Sequence, residues 1–146
     1  MRSSSSFDTL LPSPPESPTF LVDRALGRRI FPQRVVACGY RCLTLADFYG
    51  DEQAAQAAAD TAWLEESAER GLVILTRDGN LYVNDQERLA LERYGHRVFW
   101  IGPKKGTGQD WADTFETHHR AIVRYAQQPG PYVAKVQRGG LQRAWP

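Results

Sequence analysis

The sequence has little cysteine: two thiols, Cys38 and Cys42, in 146 residues. Two cysteines cannot build a disulfide framework, so the chain reads as a cytoplasmic protein kept in a reducing compartment. A structural zinc site wants about four N or S ligands. The histidines offer poor help, since His118 and His119 are adjacent and face different sides of their helix. The thiols therefore read as small apolar residues. Long apolar runs are also missing. None approaches the roughly 18–20 residues that a membrane helix needs, so no membrane partner is expected. The opening MRSSSSFDTLLPSPPESPTF has no continuous apolar core of a secretory signal. Gly102 to Gly108 lacks the spacing of a phosphate-cradling loop, and no Ser-His-Asp or Cys-His arrangement stands out.

What is present suits one compact domain. Hydrophobic residues make up 42% and charged residues 24%, enough apolar material for a single core. The net charge of +1 conceals an uneven spread. Arg41 to Glu92 holds four Lys/Arg against eleven Asp/Glu, whereas Thr117 to Pro146 holds five Lys/Arg and no acid. An acidic middle beside a basic C-terminal third fits cation binding in one place and polyanion contact in another. Ordinary surface solvation is the plain alternative.

Residues 1–18 carry six Ser and four Pro and read as a disordered tail. The domain spans 19–137, and 138–146 reads as a basic C-terminal tail. Apolar runs at Phe20–Val22, Leu72–Leu75 and Val98–Ile101 and the alternating segment Tyr40–Leu45 predict strands, with a further strand at Tyr132–Val136. Between them lie helical patterns: one around Pro32 stopped by Gly39, one from Asp60 to Gly71, one from Asp85 to Tyr94 with Leu89, Ala90 and Tyr94 inward, and one from Asp110 to Gln127. Alternating strands and helices predict an α/β fold: a central, mainly parallel sheet of four to five strands, helices on both faces. In such a sheet the ligand site lies beyond the carboxyl ends of the strands.

Two aspartates stand there. Asp23 closes the first apolar run and Asp78 lies three residues beyond the third. Each has an ordinary use: Asp23 could cap a helix, and Asp78 before Gly79 could be turn chemistry. Asp60 could be an N-cap, and spacing alone does not place it at this edge. Carboxylates gathered on one edge repel each other unless a cation is present, and hard oxygen ligands suit Mg²⁺ or Mn²⁺. The basic residues Arg24, Arg28 and Arg77, near the acids, and Lys104 and Lys105, after the fourth strand, are candidate phosphate contacts.

Three segments together resemble a known family: Phe20-Leu21-Val22-Asp23-Arg24-Ala25-Leu26-Gly27, then Asp60-x-x-Trp63-Leu64, then Val73-Ile74-Leu75-Thr76-Arg77-Asp78. They resemble the PIN-like domain, in particular the shortened subgroup of VapC-type toxins from toxin–antitoxin pairs. The resemblance covers about residues 19–140 and implies a three-layer PIN-like fold. It further implies a metal-dependent endoribonuclease with Asp23, Asp60 and Asp78 as catalytic and metal-holding acids, Mg²⁺ or Mn²⁺ as cofactor, RNA as substrate and a cognate antitoxin as protein partner. A homodimer is left open. The chain departs from the full pattern after the fourth strand, where Gly102-Pro103-Lys104 stands in place of a fourth acid; Asn80 and Asp85 are weak substitutes. Two other readings remain. One is a PIN-like RNA-binding module without catalysis. The other is a receiver-like phosphoacceptor domain, suggested by Lys104 but opposed by Arg24, since receivers carry an adjacent acidic pair after the first strand.

Overall fold

The computed structural model describes residues 17–44, 67–79 and 81–146. Their elements in chain order are β1 (Thr19–Val22), a 3-10 turn (Arg24–Leu26), α1 (Ile30–Ala37), β2 (Arg41–Thr44), β3 (Val73–Thr76), α2 (Asp85–Tyr94), β4 (Arg97–Ile101), α3 (Gly108–Tyr125), β5 (Tyr132–Gln137) and β6 (Gly140–Trp145). Residues 67–69 are also helical. One six-stranded sheet runs in the order β2-β1-β3-β4-β5-β6. The first five strands are parallel and β6 pairs antiparallel with β5.

Period-two alternation distributes the strand residues between two cores. Phe20, Val22, Val73, Leu75, Phe99, Ile101, Ala134 and Val136 face α1 and α3, where Phe31, Val35, Trp111 and Phe115 meet them. Leu21, Ile74, Val98 and Val133 face the other way, toward Leu81 and Leu91 of the α2 side. A sheet covered on both faces explains why β3 is an unbroken apolar run in sequence and wholly buried in the fold. Phe115 anchors the larger core with edge-to-face contacts to Phe20, Phe31 and Tyr40. Such pairs add about 0.5–1.5 kcal/mol each beyond burial.

Helix α2 ends where glycine predicts: Gly95 takes the left-handed conformation at φ 67° and donates to Leu91 O. The inward face of α2 differs from the expectation. Leu89 is 60% exposed, while Leu91 is fully buried. Residues two apart on a helix point to nearly opposite sides, so only one of these leucines can reach the sheet.

The sheet also has one strand more than the four to five expected. Residues 138–146, expected as a basic tail, turn at Gly139 and Gly140 and return as β6. As an edge strand β6 is half exposed and has no fully buried residue, so it lacks the apolar alternation by which strands are recognised. Neither cysteine is in a disulfide, and both pack at the margin of the larger core. Among the described residues no helix is long and apolar enough to cross a membrane.

Candidate functional site

The strand order reverses beside β1. The chain leaves β1 for β2 on one side, then returns to pair β3 with β1 on the other. A crevice therefore opens beyond the carboxyl ends of β1 and β3. Asp23 follows β1 and Asp78 follows β3, so both residues stand at the edge where this crevice opens.

Thr76, the last residue of β3, connects them. Its hydroxyl donates to Asp23 Oδ2 at 2.9 Å and accepts from the Asp78 backbone N–H at 2.9 Å. The Asp23 N–H continues the ladder by donating to Leu75 O at 2.9 Å. Sequence reasoning quoted Thr76 without giving it a role; a hydroxyl two residues before Asp78 was the available signal, since such side chains bond locally to turn backbone.

Burial pushes the Asp23 carboxyl above its ordinary value of 3.8. The Thr76 hydrogen bond, the Ala25 N–H and Arg24 pull the other way, and the charge of Asp78 adds to the rise. Asp23 stands at the head of the 3-10 turn, where the Ala25 N–H approaches its side chain as a weak cap. Its carboxylate is thus partly desolvated beside a like charge. A divalent cation relieves both strains, and the donors present are hard oxygens of the type Mg²⁺ and Mn²⁺ prefer. Asp60 lies outside the described residues, as does Asn80. Among the described residues no group of three or more His, Cys, Asp and Glu is placed to hold a metal.

The other acids near this edge have partners of their own. Asp85 pairs with Arg88 at 2.9 Å in the first turn of α2. Asp110 closes a capping box on α3: its carboxylate accepts from Thr107 N–H at 2.8 Å, and Thr107 Oγ1 accepts from Asp110 N–H at 3.4 Å.

The basic candidates separate. Arg24, Arg28, Lys104 and Lys105 are exposed. Arg28 lines a hollow beside α1 with Pro32, Val36 and Cys42. Arg77 is half-buried, with its guanidinium 3.9 Å over the Trp111 ring and donating to Lys104 O. Trp111 in turn donates to Pro103 O at 3.0 Å. Arg77 and Trp111 together hold the loop that presents Lys104 and Lys105.

The model of the family described as "PIN like domain" matches residues 18–103, which includes both strand-end acids and β1 through β4. The chain belongs to the PIN-like domain family. It is also 31% identical over 122 residues to "Putative ribonuclease VapC45" of Mycobacterium tuberculosis (strain ATCC 25618 / H37Rv), covering 84% of this chain and 88% of that protein. No solved structure matches the chain. In this PIN-like domain the mixed α/β architecture, with its largely parallel sheet, is the one the sequence resemblance implied.

Proposed function

We propose that the chain is a metal-dependent endoribonuclease, the toxin of a toxin–antitoxin pair. The observation that carries this reading is the coupling of Asp23 to Asp78 through Thr76 at the β1/β3 reversal, in a PIN-like chain similar to a protein named as a ribonuclease. Asp23 and Asp78 hold Mg²⁺ or Mn²⁺, with Asp60 as a third acid. When bound, the ion would neutralise charge at a phosphodiester and lower the pKa of a water so that it can lose a proton and attack.

The protein's own groups do the rest. Thr76 fixes the Asp23 carboxylate by donating to Oδ2. Arg24, Arg28, Lys104 and Lys105 attract the RNA backbone without reading sequence. Arg77 acts as a positioning residue for the lysine loop. A cognate antitoxin restrains the enzyme by covering this edge.

The test is cleavage of single-stranded RNA by purified protein with Mn²⁺ or Mg²⁺. Asp23→Asn and Asp78→Asn should each lower the rate roughly a hundredfold or more while circular dichroism stays unchanged. Full activity in both variants removes the reading. Retarded but uncleaved RNA with the parent protein would favour a binding module instead.

A further inference from the structure

The basic C-terminal third contains three residues whose placement differs sharply: Lys135, Arg138 and Arg143. Arg143 lies on the α3 side, where its Nε donates to Tyr125 Oη at 2.7 Å and its guanidinium sits 4.9 Å over the Tyr132 ring. Arg138 also turns to α3, 3.9 Å from Asp110, with its carbonyl on His118. Lys135 alone lies on the opposite face.

That face leads directly from the acids. Thr76 on β3 is in register with Trp100 on β4, and Trp100 with Lys135 on β5. A methyl group at Gly79 would overlap the Trp100 ring, so the turn carrying Asp78 rests flat on the indole. The Lys135 ammonium lies 4.6 Å over the same ring, and no acid pairs with it among the described residues. Stacking on the indole holds this cation at one place, about two strand spacings (roughly 10 Å) from β3. Beyond it is an open hollow of about 200 Å³, lined by Lys135, Gln137, Gln142 and the Gly139-Gly140 turn.

We infer that Lys135 and this hollow bind a nucleotide flanking the cleaved one, so that single-stranded RNA leaves the carboxylates over the Trp100 ledge. The inference rests on the ribonuclease reading and adds to it the path of the strand. A fixed cation takes the phosphate, and the two glutamine amides flank it with donors and acceptors that suit a base or ribose.

The experiment titrates the full chain, in EDTA to prevent turnover, into labelled single-stranded RNA of about ten nucleotides. Lys135→Gln should weaken binding roughly three- to tenfold and reduce the slope of log K against log salt by about 0.7. Lys135→Arg should restore most of the affinity. Arg138→Gln removes the same charge on the other face and should change binding less than about twofold. Equal weakening by Lys135→Gln and Arg138→Gln would mean bulk charge alone and overturn the inference. Unchanged binding by Lys135→Gln also overturns it, and parental cleavage with Mn²⁺ then leaves the ribonuclease reading standing. A parent that neither binds nor cleaves RNA overturns both.

Discussion

Asp23 and Asp110 follow parallel strands of the same sheet, β1 and β4, and their surroundings drive them in opposite directions. Burial holds the Asp23 carboxyl above its ordinary value, and Asp78 adds a like charge. Asp110 is held below its ordinary value by hydrogen bonds from the Thr107 backbone and side chain, with a smaller pull from Arg138. One carboxylate has its charge favoured by hydrogen bonds at the start of its helix. The other keeps hydrogen bonds from Thr76 and the Ala25 N–H, yet burial still disfavours its charge. The contrast teaches that an acid at a strand end is informative only once its local partners are known.

The sharpest way to break the contrast is a divalent ion. An ion that binds the folded chain stabilises it by ~2.7 kcal/mol at a hundred times its Kd, or roughly 5–10 °C in Tm for a domain of this size. Mn²⁺ should give such a shift with the parent protein in a thermal melt. Asp23→Asn should remove it, and Asp110→Asn should keep it. A shift that survives Asp23→Asn but vanishes with Asp110→Asn would reverse the assignment of the two acids.

Thr76 carries the next effect. Thr76→Val keeps the shape but removes the donor to Asp23 and the acceptor for the Asp78 N–H. Loss of such a supporting hydrogen bond costs roughly ten- to a hundredfold in metal affinity or activity. Thr76→Ser should recover most of it. If valine is tolerated in Mn²⁺ titrations and in RNA cleavage, the two acids are held by their backbones alone.

The residues behind these two predictions differ in how far the sequence conveyed them. Asp23 and Asp78 were readable because each follows an apolar run, and a parallel sheet sends both run ends to one edge. The alternation of strands and helices was readable for the same reason, and Gly95 marked the end of α2. Thr76 was not, because its value depends on β1 and β3 being neighbours, and they are 50 residues apart in the chain. Strand β6 was hidden by its polarity, as an edge strand needs no apolar pattern. Leu89 misled because its apolar character fits the helix, while burial of Leu91 fixes the rotation. Arg77 was readable as a candidate phosphate contact, but not as a partner of Trp111 and the Lys104 carbonyl, which meet it from distant positions in the chain.

A smaller effect concerns pH. A carboxyl raised in the folded state keeps its proton longer than in the unfolded chain. Stability contributed by this group is therefore highest at and below 3.8, falls as pH rises through the raised folded value, and stays reduced above it. Asp23→Asn removes that loss while its amide oxygen can still accept from Thr76. Metal-free Asp23→Asn should thus melt at a higher temperature than the parent at neutral pH. The advantage should disappear near pH 3.8. An asparagine variant less stable than the parent across the whole range would mean that burial does not penalise the Asp23 charge.

The smallest effect belongs to the other acid. Thr107→Ala deletes the hydroxyl that accepts from the Asp110 N–H, so α3 loses its N-cap. Caps of this kind are worth about 1 kcal/mol, a fall of roughly 2–4 °C in Tm. The Thr107 backbone N–H still reaches Asp110 Oδ2, so the carboxylate keeps one partner and stays turned toward its helix. RNA cleavage should then remain within about twofold of the parent, because nothing at the β1/β3 crevice has changed. A hundredfold loss of cleavage with a normal melting temperature would place the start of α3 inside the reacting site, and Asp110 would become the acid that the chain otherwise lacks after β4.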